Sequence, residues 1–298
     1  MGDMTSERES SKLGEDRMDY VKPADLVSDM VDAGSNKGRM SVGQLILRGA
    51  LAGAFLGVAT SLAVTASTQT GLPIVGALIF PVGFVMIVLL SLDLVTGSFA
   101  LLPLGVLEGR IGIAQLAKNW LWVFVGNLIG GVVYAGLLAI VLTNGGATPP
   151  NATGRALIKL AETKTVGYAQ YGAEGMLTAF VKGMLCNWLV CLGVVMGMAS
   201  TSTVGKIVGA WLPILTFFAQ GFEHTVVNMF VIPCGMLLGA HVTFADWWIW
   251  NQIPVTAGNL VGGLSFTGLA LYYAHRRPET EQKAAAQPAS IIAYESES

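Results

Sequence analysis

The sequence predicts an all-α polytopic membrane protein of six transmembrane helices, arranged as two inverted three-helix repeats. Three observations carry this: an apolar composition, charge missing in span-length blocks, and landmarks that recur once along the chain. Of the 298 residues 53% are hydrophobic and 12% charged, against roughly 25% charged in a soluble domain. No charged side chain lies between Arg48 and Asp93, Lys118 and Arg155, Lys182 and Lys206, or Trp247 and Ala274. A span needs about 20 apolar residues. The first block therefore holds nearly two spans and the others one each, and residues 207–222 with 226–238 complete six. The expected spans are 45–67, 73–107, 116–142, 176–199, 207–240 and 255–273, of which the second and fifth are too long for one straight crossing.

The flanks are polar. Residues 1–19 read as a disordered cytoplasmic tail without the apolar core of a signal peptide, and 276–298 as a cytoplasmic C-terminal tail. In 20–40 the residues Val21, Leu26, Val27, Met30 and Val31 recur at helical spacing opposite Asp25, Asp29 and Asp32. That pattern predicts an amphipathic helix on the membrane surface or across a neighbouring subunit. The six-span domain occupies 41–275. Thirteen of the seventeen Lys and Arg residues fall in the tails and in the 2–3 and 4–5 loops, so both termini are expected in the cytoplasm. A net charge of −2 offers no basic surface for nucleic acid. Cys186, Cys191 and Cys234 sit in apolar spans and read as packing residues. Trp247, Trp248 and Trp250, just before span 6, read as an interfacial belt.

Comparison of the chain with itself gives the repeat, about 45–142 and 176–273. Arg48-Gly49-Ala50-Leu51 resembles Lys182-Gly183-Met184-Leu185, and Asp93-Leu94-Val95-Thr96 aligns with Glu223-His224-Thr225-Val226. Asn119 with Gly126-Asn127-Leu128-Ile129-Gly130-Gly131 matches Asn251 with Gly258-Asn259-Leu260-Val261-Gly262-Gly263. The offsets are 134, 130 and 132 residues. With three spans per copy, the second copy enters the membrane from the opposite side, and such repeats place a pathway at their interface. Spans 2 and 5 carry Asp93 and Glu223 mid-span and are expected to be broken there, since irregular backbone at membrane depth survives only beside a cavity or inside protein. Glycines such as Gly49, Gly53, Gly126 and Gly130 read as helix-packing positions.

Polar groups inside spans are the candidate functional residues. His224 could exchange a proton near neutral pH. Asp93 and Glu223 are expected to fix the loops by accepting backbone N–H bonds at half-helix starts. Thr96 offers a hydroxyl in span 2. Asn187 must find partners, either the histidine and loop backbone or another helix. Phe80, Phe84 and Phe217 could line hydrophobic constrictions, although aromatics in a span are ordinarily core or lipid-facing.

Leu94-Val95-Thr96-Gly97, Lys182-Gly183-Met184-Leu185-Cys186-Asn187-Trp188-Leu189-Val190-Cys191 and Gly221-Phe222-Glu223-His224-Thr225-Val226-Val227-Asn228-Met229-Phe230-Val231-Ile232-Pro233 resemble signatures of the formate/nitrite transporter family, over about residues 22–275. The resemblance implies an aquaporin-like protomer with its own pore, assembled as a homopentamer in the cytoplasmic (inner) membrane. It implies pore roles for Thr96, Leu94, His224 and Asn187. It also implies one constriction at Phe80 and Phe84 and another at Val190 and Phe217. Phe84 departs from the leucine common in the family. The family's vestibule lysine falls on Tyr171, so Lys164, seven residues upstream, is carried over as its displaced equivalent. The implied activity is bidirectional passage of formate, with protons as a possible co-substrate and no enzymatic step or cofactor. Nitrite, hydrosulfide or a short carboxylate are alternative anions. A haem-binding redox subunit is a distant alternative that needs paired axial histidines.

Overall fold

The computed structural model describes residues 19–276, and the expected tails fall almost wholly outside them. Within these residues the chain is helical, with α1 at Pro23–Arg39, α2 Val42–Thr70, α3 Pro73–Ile79, α4 Pro81–Leu89, α5 Val95–Leu107, α6 Ile113–Leu142 and α7 Ala152–Lys164. There follow α8 Val166–Ala169, α9 Gly172–Met198, α10 Thr203–Ala219, α11 Thr225–Leu238, α12 Phe244–Trp247, α13 Ile253–Val261 and α14 Ala270–His275. Two π-helical stretches, Trp248–Gln252 and Gly262–Leu269, join α12 to α14 into one continuous helix.

Among the described residues four helices are long and apolar enough to cross a membrane: α2, α6, α9 and the compound helix Phe244–His275. Four shorter apolar helices stand as two pairs, Pro73–Leu89 with Val95–Leu107 and Thr203–Ala219 with Thr225–Leu238. At 1.5 Å per residue a 17-residue helix reaches about 25 Å, short of the roughly 30 Å hydrocarbon core. The helix starts are coded locally. Ser41 and Gln44 form a reciprocal capping box on α2, Asn151 caps α7, Ser202 caps α10, and Thr243 with Asp246 boxes α12. The last of these starts the final helix at residue 244, well before the expected 255, because the polar Thr243-Phe244-Ala245-Asp246 segment is itself helix-initiating.

Two expectations are corrected here. The apolar face of α1 lies against its own chain: Val27, Met30 and Val31 are buried in a cluster with Leu101, Leu104, Val195 and Tyr272. Residues on three other helices thus satisfy the face assigned to the membrane surface or a neighbouring subunit. Trp247 is no belt residue. It is 5% exposed, packs with Ile232 and Val242, and donates its indole N–H to Gln252 Oε1 at 3.0 Å.

Helices α2 and α6 meet at glycines. A Cβ built on Gly130 would lie 1.8 Å from the carbonyl oxygen of Ala50, and one on Gly262 would lie 2.0 Å from that of Met184. Both neighbours are backbone and cannot move aside. Gly130→Val should therefore destabilise the fold by about 3 kcal/mol or more, the upper end of overpacking costs. Thermal unfolding in detergent checks this, and retention of the wild-type midpoint would show that the two helices can separate freely.

Candidate functional site

Two short loops without helix, residues 90–94 and 220–224, separate the paired short helices. Each turns through a left-handed residue, Ser91 with φ 51° and Gly221 with φ 65°. Each is then fixed by one buried asparagine from a long helix. Asn127 donates to Gly49 O (2.8 Å) and Asp93 O (2.9 Å) and accepts from Val95 N (3.0 Å). Asn259 donates to Gly183 O (2.7 Å) and Glu223 O (2.9 Å) and accepts from Thr225 N (2.9 Å). A primary amide has two N–H groups and one oxygen, and each of these asparagines uses all three. One N–H at each helix start after the loops is thereby bonded to a buried side chain.

The carboxylates do something other than cap. Among the described residues neither accepts a backbone N–H. Asp93, fully buried, is paired with Lys37 of α1 and with Arg48 Nε at 2.8 Å. Glu223 takes Lys164 Nζ at 2.7 Å, Tyr168 Oη–H at 2.8 Å and Asn228 Nδ2 at 2.8 Å. The lysines are held alike. Asn119 donates to Lys37 O at 3.0 Å, and Asn251 donates to Lys164 O at 2.9 Å. Lys164 thus sits directly on the loop carboxylate, while Tyr171 is 63% exposed. The short helix α8 and the turn before α9 separate the two residues.

Two cavities flank the loops. One, of about 430 Å³, is lined by Lys164, Tyr168, Lys182, Phe217, Phe218 and His224 among others. The other, of about 310 Å³, is lined by Lys37, Arg48, Phe84, Ser91, Leu94 and Val194 among others. His224, in the first lining, is bonded through Nε2 to Thr96 Oγ1 at 3.2 Å; Thr96 is fully buried and lines neither cavity, but its neighbours Leu94 and Gly97 line the second. The direction of this bond follows from the other ring nitrogen. His224 Nδ1 accepts the N–H of Val227 at 3.2 Å and so caps α11. Nδ1 therefore carries no proton, and Nε2–H donates to Thr96. Both nitrogens are committed to protein partners, so His224 is no axial haem ligand.

Apolar rings close the space around this bond. Phe217 stacks on His224 with centroids 5.8 Å apart, and Phe80 meets Phe217 edge-on at 5.7 Å and stacks on Phe218 at 4.0 Å. Phe80 therefore groups with Phe217, not with Phe84 as expected. Phe84 lies with Leu94 at the second cavity, and Val190, 1% exposed, lines neither cavity. Asn187 does not reach His224. Its amide donates to Thr96 O (3.1 Å) and Asn259 O (2.6 Å), and Cys191 Sγ also donates to Thr96 O (3.3 Å).

Sequence reasoning names Asn127, Asn259, Asn119 and Asn251 only as repeat landmarks and assigns them no role. Lys37 and Tyr168 it assigns nothing. An amide recurring mid-span in an apolar helix is the signal that could have singled out the asparagines, because a buried amide must be bonded.

The geometry has counterparts among known proteins. The formate/nitrite transporter family profile matches residues 24–273. A probable formate transporter of Methanothermobacter thermautotrophicus is 36% identical over 271 residues, spanning 86% of this chain and 97% of that protein. The formate channel FocA of Escherichia coli K12 is 30% identical, spanning 87% and 96%. Among solved structures, an FNT family ion channel superposes with a TM-score of 0.73 at 28% identity, covering 85% of this chain and 99% of that one. A pentameric formate channel with formate bound gives 0.63 at 26% identity, covering 78% and 97%. The chain is thus a multi-pass membrane protein and belongs to the formate/nitrite transporter family, whose members are channels and transporters and not enzymes.

Proposed function

We propose that the chain conducts formate across the cytoplasmic membrane in either direction, through a path from one cavity to the other past Thr96 and His224. The observation that carries this reading is the charge balance beside each cavity. Lys37 and Arg48 face the single carboxylate of Asp93, and Lys164 and Lys182 stand with the single carboxylate of Glu223. Each mouth keeps one positive charge in excess, which draws small anions from either side. The six spans, read as two inverted sets of three with broken second and fifth members, agree with the matched bonds of Asn127 and Asn259. A homopentamer with both termini in the cytoplasm agrees with the relative described as a pentameric channel and with the distribution of Lys and Arg.

Between the mouths, Phe80, Phe217, Phe218, Phe84 and Leu94 offer no partner to a bare carboxylate. Taking an unpaired ion out of water costs several kcal/mol, and protonation of formate removes most of that. His224 in the tautomer described above donates from Nε2 and has no second proton to give, because a proton on Nδ1 would face the N–H of Val227. The proton therefore comes from water in the cavity; His224, held through both nitrogens, orients Thr96, whose hydroxyl proton is left to meet the neutral acid. Nitrite has similar size and charge and is the second reading, on the family's own name.

Proteoliposomes assayed in parallel should take up formate faster than nitrite, and more so with an inward proton gradient. Rapid nitrite entry with negligible formate flux would sink the assignment. His224→Asn, which shortens the donor that orients Thr96, should assemble but lower formate flux at every pH, and Thr96→Val should lower flux by about tenfold, the value of one oriented hydrogen bond. Wild-type flux across the pH range in both variants would remove these residues from the path. Lys164→Met, which strands the buried Glu223, should cost about 3–5 kcal/mol of stability. Adding Glu223→Gln should restore most of it, as read by thermal unfolding.

A further inference from the structure

A buried polar chain lies behind the path, on the far side of the residue that follows His224. Gln252 is 1% exposed in the π-helical stretch Trp248–Gln252. Its Nε2 donates to Thr225 Oγ1 at 2.5 Å, and its Oε1 accepts from Trp247 Nε1 at 3.0 Å. Thr225 Oγ1 lies 2.6 Å from Thr256 Oγ1, which in turn donates to the carbonyl of Gln252 at 2.6 Å.

Every direction in this chain is fixed. An indole N–H can only donate, so the oxygen of Gln252 faces Trp247 and its nitrogen faces Thr225. The single proton of Thr256 is spent on the Gln252 carbonyl, so Thr225 must donate to Thr256. Reversing any member would set two donors or two acceptors face to face. Thr225 is thereby clamped twice: its N–H goes to Asn259 and its hydroxyl joins this chain.

The π turn makes the arrangement possible. Successive side chains point about 100° apart on an α-helix, and the wider π turn brings them closer together around the axis, a distortion common at functional sites. Asn251 reaches Asn228, Lys164 O and, at 3.4 Å, the Glu223 carboxylate, while Gln252, the next residue, reaches Thr225. One helix thus grips the 223–225 segment at two points. The ring of His224, between them, is left to meet Thr96 and Phe217.

We infer that Gln252 is a positioning residue for permeation: acting through Thr225, it sets the start of α11 and so the approach of His224 Nε2 to Thr96. This rests on the reading of His224 as a path residue. It predicts that Gln252→Leu lowers maximal formate flux per reconstituted protein by about tenfold, with KM little changed because neither cavity is touched. Thr225→Val should do the same, Thr225→Ser should restore wild-type behaviour, and the double variant Gln252→Leu/Thr225→Val should be no worse than the more impaired single variant.

A merely structural role would lower yield or unfolding temperature while leaving maximal flux per folded protein unchanged, and that result overturns the inference. Should Gln252→Leu fail to assemble, the Thr225→Val and Thr225→Ser pair decides by the same readouts. His224→Asn is run alongside. If it too leaves flux unchanged, the pathway reading itself falls; if it alters flux while the Gln252 and Thr225 variants do not, only the positioning role falls.

Discussion

The constraint on which the structure depends is that backbone amides at the start of a helix must be bonded even where no water reaches. Interrupting two apolar segments leaves N–H groups and carbonyls exposed in the protein interior, each costing about 1–3 kcal/mol if unpaired. Asn127 and Asn259 meet that demand with the same three bonds, and everything near the site is arranged around them. The close approach of the glycine-bearing helices brings each amide within reach of both a loop and a neighbouring helix. Asn187 extends the lattice by binding the carbonyls of Thr96 and Asn259 together, so the two loops are not independent.

On this lattice, charge and apolar surface are kept apart. The carboxylates Asp93 and Glu223 lie behind their loops and hold cations beside the cavities, while rings and aliphatic side chains occupy the space between. Because each lysine is also tied through its own carbonyl to an asparagine, its position is fixed at backbone level as well as at Nζ. Burial of such an ion pair contributes little net stability. Its value lies in keeping a positive charge at a set place.

Much of the fold is legible in the sequence because span length and charge-free blocks report the membrane directly. Four long apolar helices and two pairs of short ones fall where the blocks do. The site is legible where a polar residue interrupts an apolar run, as at Thr96, Asn187 and His224. It is obscured where roles depend on partners distant in the chain. Lys37 sits in what reads as a peripheral helix, and only the fold carries it to Asp93. A carboxylate beside a helix start looks like a cap, yet asparagine and histidine do the capping. Trp247 at the edge of an apolar block looks interfacial until its indole is seen bonded to Gln252, and the rings of Phe80 and Phe217 meet across a sequence gap no local pattern spans.

Of the cations that charge the two cavities, Lys37 and Lys164 ride on α1 and α7, helices outside the long apolar segments, while Arg48 and Lys182 belong to α2 and α9. The lattice of asparagines and glycines is shared property of the spans, and changing it would unsettle both mouths at once. Helices α1 and α7 are modular by comparison. Each can be lengthened, shifted by a turn or rewritten while its lysine keeps reaching the carboxylate below. A lineage could therefore retune what gathers at one face of the membrane without redrawing the barrier in the middle.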